Sequence, residues 1–359
     1  MLKKLPFLLL LLLTCSKDRP INLSVKSSNL SYKKVLEQLP ILQKKHASLY
    51  LQVKENDIGS YELKEVLHAA KEKGINISIW PLLQVEQGPW ASEHNYEIFG
   101  KLVSKTIDWL EREHIQPEYI VINMENGLAQ MDSIKNFLKD NDHTSIIKVL
   151  LNNVDRERFN KSVEEYKRIV NEIHDKGFKA MITTYPFMVD DFQDEDPDIQ
   201  DLANVPISGI DWDAYTFTPY RTAYSGDLGV TFSPYIVYEY GKAAGNLFKK
   251  KARLPLGIIG ESEHGPGYKS PLDLEKDVAA AKAAGIEEID LFHLGGMIRE
   301  GNVSDWINPD VKAEIPTFDI KVAAARAFVK TLDKILDGEN GADHIEKSIT
   351  AIENLGAEK

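Results

Sequence analysis

Two glutamates in this sequence stand where a pair of carboxylates could carry out acid–base chemistry. Glu125 follows a short apolar run through Asn123 and Met124, and Glu261 follows the apolar run 255–260. A carboxylic acid that donates a proton and a second carboxylate that acts as nucleophile or base can together hydrolyse a glycosidic bond. The carboxyl groups must lie about 5–5.5 Å apart for a retaining mechanism and about 6.5–9.5 Å apart for an inverting one. We therefore predict that Glu125 and Glu261 are catalytic.

Aromatic and polar side chains near the predicted strand ends could bind the substrate. Sugars present apolar C–H faces that pack on aromatic rings, and hydroxyls that need hydrogen-bond partners. His293 could donate a hydrogen bond, although a histidine with a core or loop role is an equally good interpretation. The candidate substrate-binding residues are Asn123, Trp80, Tyr185, Tyr215, Tyr220, Arg221 and His293.

These residues must be positioned by alternating strands and helices. Short runs rich in β-branched and aromatic residues alternate with longer amphipathic stretches, which is the pattern of βα units in a parallel sheet. Gly74, Gly177 and Gly285 mark the ends of three of the helices. The predicted strands are 21–25, 48–53, 76–82, 119–124, 179–185, 213–217, 255–260 and 288–293. The predicted helices are 32–45, 61–73, 96–114, 159–176, 236–250, 272–284 and 320–336.

Eight strands alternating with helices predict an α/β fold of the (β/α)8 TIM-barrel class, in which the sheet closes and leaves no edge. The alternative is a doubly wound open sheet. Its nucleotide-binding forms are disfavoured, because the chain has no G-x-G-x-x-G after the first strands and no G-x-x-x-x-G-K-[ST]. A barrel carries its active site at the carboxyl ends of its strands. Strands four and seven would therefore deliver Glu125 and Glu261 to the same mouth.

This arrangement resembles a large clan of (β/α)8 glycoside hydrolases, which has an acid/base glutamate at the end of strand four and a nucleophilic glutamate at the end of strand seven. The resemblance implies that Glu125 is the acid/base and that Glu261 is the nucleophile of a retaining mechanism. The clan usually has an asparagine directly before the acid/base, whereas Met124 stands between Asn123 and Glu125 here. Alternation along the strand would still aim Asn123 and Glu125 to the same face.

Signs of other chemistry are weak. Glu261, Glu263 and His264 have no H-E-x-x-H or H-x-H partner motif, so we predict no metal and no other cofactor. The acidic stretch 190–198 lacks the register of a calcium loop, and a solvated run of charges is the simpler interpretation. Two other functions remain open. One is a non-catalytic barrel that binds a glycan or an envelope or host component, and the other is a metal-assisted hydrolase of phosphoesters or amides.

The amino terminus predicts export. Residues 1–14 join a basic start to an apolar run of about nine residues, which is too short to span a bilayer and is typical of a signal peptide. The segment Leu12-Leu13-Thr14-Cys15 resembles a bacterial lipobox, which implies that Cys15, the only cysteine, carries lipid. The alternative is a plain signal peptide with an incidental cysteine. We predict a protein that is anchored by this lipid to a membrane of the bacterial envelope or surface.

Length and composition fit one large globular domain. The 359 residues are 43% hydrophobic and 27% charged, which is enough to bury a sizeable core. The net charge of −12 disfavours binding to nucleic acid, so the expected partners are a carbohydrate and the membrane. The predicted segments are a signal peptide (1–14), a tether (15–20), the barrel (21–337) and a helical tail (338–359).

Overall fold

The computed structural model describes residues 20–125, 154–193, 196–262 and 265–336. Eight parallel strands form a closed barrel in which each strand pairs with its neighbours in the chain and the last pairs with the first. The strands are β1 (Asn22–Lys26), β2 (Ser48–Lys54), β3 (Ile77–Leu82), β4 (Ile120–Asn123), β5 (Ala180–Thr184), β6 (Ala214–Phe217), β7 (Ala252–Gly257) and β8 (Glu288–Phe292). The predicted (β/α)8 barrel is confirmed.

Helices connect the strands and surround the barrel. Between β5 and β6 the described chain forms two short helices in place of one long one. The helices are α1 (Tyr32–Lys44), α2 (Tyr61–Glu72), α3 (Tyr96–Arg112), α4 (Arg156–Asp175), α5 (Met188–Asp191), α6 (Asp198–Leu202), α7 (Arg221–Leu228), α8 (Tyr235–Phe248), α9 (Pro271–Ala283), α10 (Leu294–Glu300), α11 (Val303–Trp306) and α12 (Ile320–Leu336). Single 3-10 turns occur at Glu55–Asp57, Val85–Gln87 and Lys249–Lys251.

Local sequence signals explain where the helices begin and end. The Ser60 hydroxyl accepts a hydrogen bond from the backbone N–H of Leu63 at 3.2 Å and so caps α2. Gly74, Gly177 and Gly285 have φ angles of 65°, 76° and 87°, a left-handed conformation that only glycine adopts at little cost. The predicted glycine stops are confirmed.

Two layers of buried side chains form the core. The larger layer fills the space between the barrel and the helices, where residues such as Val25 and Leu51 point outward from their strands. A smaller cluster fills the inside of the barrel. Its members are Tyr50, Trp80, Leu82, Val121, Met181 and Ala214. Alternate residues of a strand face opposite layers, so the strand register decides which side chains can reach the mouth.

The seventh strand begins and ends three residues earlier than predicted. It spans Ala252–Gly257, whereas the sequence indicated 255–260. The observed strand therefore includes Arg253, although a charged side chain is costly to bury in a barrel. In the structure Arg253 is buried because Glu288 and Asp290 on β8 lie beside it.

Some predictions concern segments outside the described residues. The signal peptide, Cys15 and the tail from residue 338 all lie there. Among the residues that the structure does describe, no helix is both long and apolar enough to cross a membrane.

Candidate active site at the carboxyl end of the barrel

The end of β4 carries a carboxylate that is held by its own strand. Asn123 is the last residue of β4, and its Nδ2 donates a hydrogen bond to Oε1 of Glu125 at 2.8 Å. The backbone N–H of Glu125 donates to the carbonyl oxygen of Ala91 at 3.2 Å, and the Glu125 side chain is half-buried. The prediction that Asn123 and Glu125 share a face is confirmed, although Met124 separates them.

Lys26 is a functional candidate that the sequence did not reveal. The predicted first strand stops at residue 25, whereas β1 extends to Lys26, which points into the barrel and is only 3% exposed. Its ammonium nitrogen lies 5.5 Å from the centre of the Tyr50 ring and 5.7 Å from that of Trp80. Burial lowers the pKa of Lys26, while the charges of Asp290 and Glu125 act in the opposite direction.

Aromatic rings line the same space. Trp80 belongs to the cluster inside the barrel, and Tyr220 stacks on Phe292 with ring centres 5.3 Å apart. Burial raises the pKa of Tyr220, and the negative charges of Glu125 and Asp290 raise it further. Tyr220 therefore lies near Glu125, and Trp80 lies near Lys26. Their role in binding a substrate stays a prediction.

A charged layer lies beneath the mouth. Arg253 Nη2 is 3.0 Å from Oε2 of Glu288 and 3.6 Å from Oδ1 of Asp290, which is fully buried. The guanidinium carbon of Arg253 also lies 5.8 Å from the centre of the Tyr50 ring. A buried carboxylate is tolerated when a buried cation compensates it. Arg253 therefore allows the lower part of the barrel to contain charged groups.

Several buried polar atoms inside the barrel have no hydrogen-bond partner among the described residues. They are Trp80 Nε1, Asn123 Oδ1, Thr183 Oγ1 and Thr216 Oγ1, on the four neighbouring strands β3 to β6. Leaving such an atom unsatisfied costs about 1–3 kcal/mol, and these atoms are normally satisfied by water or by a ligand. The set of donors and acceptors suits a ligand that is rich in hydroxyl groups.

Glu261 does not lie at a strand end. β7 ends at Gly257, and Glu261 begins a two-stranded hairpin formed by Glu261–Ser262 and Gly265–Pro266. Its side chain is exposed, whereas that of Glu125 is half-buried. The position predicted for Glu261 is therefore wrong, because the pairing of β7 with β8 ends the strand earlier. Its role as a nucleophile stays a prediction.

Tyr215 faces away from the mouth. Its neighbour Ala214 belongs to the cluster inside the barrel, so Tyr215 points to the helix layer. Its ring stacks on that of Phe248 with centres 4.1 Å apart and meets the edge of Phe192. Burial raises the pKa of Tyr215 to about 12. The prediction that Tyr215 contacts substrate at the mouth is wrong, because alternation along β6 places it in the outer core.

Arg221 is engaged in the helix layer. It is the first residue of α7, and its Nε lies 2.9 Å from both carboxylate oxygens of Asp277 in α9. Its guanidinium carbon lies 5.3 Å from the centre of the Tyr268 ring. Asp277 is fully buried and needs this cation. The geometry therefore gives Arg221 a structural role and offers no support for the predicted contact with substrate.

Two further candidates follow strands directly. Tyr185 comes after β5, is 8% exposed and stacks on Phe187 with ring centres 5.1 Å apart. His293 comes after β8 and caps α10, because its Nδ1 accepts a hydrogen bond from the N–H of Gly296 at 3.3 Å. Burial lowers the pKa of His293 to about 4, and the charge of Arg299 adds to the effect. The neutral ring therefore carries its proton on Nε2, which suits the predicted role as a donor.

Part of the acidic stretch after β5 is buried. Asp190 and Asp191 are buried. Arg326 in α12 donates from Nε to Asp190 at 3.1 Å, and the backbone N–H of Ile199 donates to Asp191 at 2.8 Å. The interpretation as a solvated run is wrong for these residues, because their partners lie far away in the chain or in the next helix.

Within the described ranges, no three His, Cys, Asp or Glu side chains are grouped as a metal site would require.

Comparisons with known proteins reveal similarity of fold only. No family model matches this sequence, and neither does any curated protein. A D-allulose 3-epimerase from Methylomonas sp. has 11% identity and a TM-score of 0.44, over 94% of this chain and 98% of that one. A family 1 β-glucosidase from Thermotoga maritima has 12% identity and a TM-score of 0.46, over 73% and 77%. A xylose isomerase domain protein from Planctomyces limnophilus has 10% identity and a TM-score of 0.40, over 89% and 98%.

Proposed function

We propose that this protein binds a carbohydrate at the carboxyl end of its barrel and hydrolyses a glycosidic bond with Glu125 as the acid/base. The observation that carries the proposal is the placement of Glu125, which receives a hydrogen bond from Asn123 and lies near Tyr220. Trp80 adds a second aromatic side chain inside the barrel. A sugar ring can pack its C–H face on such rings. Its hydroxyls can bond the unpartnered atoms of Asn123 and Trp80.

The proposed chemistry uses Glu125 in both protonation states. As an acid it gives its proton to the glycosidic oxygen while the bond to the anomeric carbon breaks. As a carboxylate it then takes a proton from the water that attacks the same carbon. Asn123 has a positioning role, because its N–H group fixes the orientation of the Glu125 carboxylate.

A retaining mechanism also needs a nucleophilic carboxylate about 5–5.5 Å from Glu125. We assign this role to Glu261. The hairpin that carries it follows β7, so it emerges from the same end of the barrel as Glu125. Substrate binding would have to bring the exposed Glu261 carboxylate to the anomeric carbon.

The first test is hydrolysis of a panel of glycans and aryl glycosides by the full chain and by Glu125→Gln. We expect this substitution to lower kcat on the order of 10²–10⁴-fold, because it removes the proton donor but keeps the shape of the side chain. The exposed Glu65→Gln in α2 is the matched control and should keep full activity. Undiminished hydrolysis by Glu125→Gln would overturn the proposal.

The same panel separates the two carboxylates. Glu261→Gln should abolish turnover if Glu261 is the nucleophile, and NMR of the first product should show retained anomeric configuration. An inverted product together with an active Glu261→Gln variant would exclude the retaining mechanism and leave the role of Glu125 intact.

The exposure of Glu261 favours one alternative, a barrel that binds a glycan without cleaving it. In that case calorimetry would detect binding of a glycan that is never hydrolysed, and Trp80→Ala would weaken the binding. A metal-assisted hydrolase would instead lose activity with a chelator and regain it with a divalent ion.

We also propose that the mature protein is exported and anchored to a bacterial membrane through lipid on Cys15. The support comes from the sequence alone, because a basic start and an apolar run precede the cysteine. Each buried CH₂ of an acyl chain contributes about 0.8 kcal/mol, so several chains on one residue can hold a domain on a bilayer.

A further inference from the structure

Lys26 is a buried amine that the proposed hydrolysis does not use. It ends β1, where its register partners are Tyr50 on β2 and Phe292 on β8. The side chain is 3% exposed and lies over two aromatic rings. Within the described residues, the side-chain amine of Lys26 has neither a hydrogen bond nor an ion pair.

Arg253, a second buried cation of the barrel interior, is arranged differently. Nη2 of Arg253 lies 3.0 Å from Oε2 of Glu288 and 3.6 Å from Oδ1 of Asp290. A buried structural charge normally has such an oppositely charged partner. A lysine with only a structural role would be expected to have such a partner, because an uncompensated buried charge is costly. Asp290 and Glu125 act on Lys26 through their charges, but no described side chain bonds its amine, so the amine can serve a group that enters the mouth from outside.

The surroundings of Lys26 favour its neutral form. Burial is the main influence and lowers its pKa, and the positive charge of Arg253 lowers it further. Asp290 and Glu125 raise it. A lysine with a lowered pKa has a larger neutral fraction at a given pH, and the neutral amine is a nucleophile toward carbonyl carbon.

We propose that Lys26 forms an imine with the carbonyl group of a short hydroxyaldehyde or hydroxyketone bound at the mouth, and that Glu125 transfers the protons of this reaction. The Lys26 nitrogen attacks the carbonyl carbon, and the carbonyl oxygen takes a proton to give a carbinolamine. Loss of that oxygen as water and loss of the nitrogen proton then give C=N. Overall, one amine and one carbonyl group give one imine and one molecule of water.

The ligand class follows from the other polar groups inside the barrel. Asn123 Oδ1 and Trp80 Nε1 have no hydrogen-bond partner among the described residues, so they can bond hydroxyls that neighbour the carbonyl carbon. Imine formation uses the same end of the barrel as the proposed hydrolysis but does not depend on cleavage of a glycosidic bond.

The test is reductive trapping. The full chain is incubated at pH 7 with glycolaldehyde or dihydroxyacetone and sodium cyanoborohydride, which reduces an imine to a stable secondary amine. Peptide mass spectrometry then compares Lys26 with the exposed Lys71 and Lys250. We expect Lys26 to be modified at least tenfold faster than either, because ordinary lysines with a pKa of about 10.4 are almost fully protonated at pH 7. Equal or slower modification of Lys26 would overturn the proposal.

Two variants test the role of Glu125 and the identity of the modified lysine. Glu125→Gln should slow modification of Lys26 at least fivefold and leave Lys71 unchanged, whereas the exposed Glu65→Gln should affect neither. Lys26→Met should abolish the fast adduct while its circular dichroism spectrum stays that of the parent. A fast adduct that survives Lys26→Met would also overturn the proposal. Glycoside hydrolysis is measured in a separate assay. If the full chain hydrolyses glycosides but Lys26 is not trapped, the imine proposal is refuted and the proposed hydrolysis is not.

Discussion

Single residues of the same type behave differently here because of their partners. Glu125 is half-buried and bonded to Asn123, whereas Glu261 is exposed on a hairpin. Arg253 is buried with two carboxylates, whereas the buried Lys26 faces aromatic rings. Chemical type alone therefore does not decide which carboxylate or cation can react.

Glu93, in the loop before α3, should make stability depend on pH. Its side chain is fully buried. Nη2 of Arg158 lies 2.6 Å from its Oε1, and Nε2 of His94 lies 3.8 Å from the same oxygen. Burial is the main cause that raises the pKa of Glu93 to about 7, while Arg158 opposes the shift. Between the ordinary glutamate value and pH 7, the unfolded chain is ionised and the folded protein keeps the proton. The free energy of unfolding should therefore fall by roughly 3 kcal/mol as pH rises through this window.

Urea unfolding of Glu93→Gln at several pH values between 4.5 and 7.5 tests this prediction. Glutamine does not ionise, so the variant should gain stability relative to the parent as pH rises. The exposed Glu97→Gln in α3 should follow the parent at every pH. Parallel curves for the parent and Glu93→Gln would contradict the raised pKa.

At the scale of elements, α3 shows how one face of a helix holds the barrel. Phe99 is fully buried against the barrel layer, whereas its neighbour Ile98 is 41% exposed. We expect Phe99→Ala to lower the free energy of unfolding by about 3–5 kcal/mol, because it leaves a cavity. Ile98→Ala should cost less than about 1 kcal/mol. Equal losses for the two variants in urea unfolding would show that α3 packs differently.

The strand elements explain which site predictions succeeded. β4 ends at Asn123, one residue before its predicted end, and Asn123 and Glu125 still point to one face as expected. β1 extends one residue further than predicted and β7 ends three residues earlier, and these shifts bring Lys26 into the barrel and leave Glu261 on the hairpin. Strand ends are set by pairing with neighbouring strands, which short-range patterns do not contain.

At the scale of the whole molecule, the predicted anchor would join the barrel to a membrane. We expect the full chain to incorporate labelled palmitate during expression in a bacterium and to remain with the membrane fraction. Cys15→Ser should lose the label and release the protein from that fraction, because the anchoring acyl chains need the thiol. Ser16→Ala is the control and should keep the label. A labelled Cys15→Ser protein would exclude Cys15 as the attachment point.

The barrel could be predicted from the sequence, because eight strands alternating with seven helices and helix-ending glycines leave few other ways to close a parallel sheet. The sequence also determined that Asn123 and Glu125 lie together, since residues two apart on a strand share a face. Only the tertiary structure decided that Tyr215 faces the helices and that Lys26 lies inside the mouth. The physical reason is that inward and outward positions differ by a single residue. That choice depends on strand register and on distant partners, such as the β8 carboxylates that allow Arg253 to be buried.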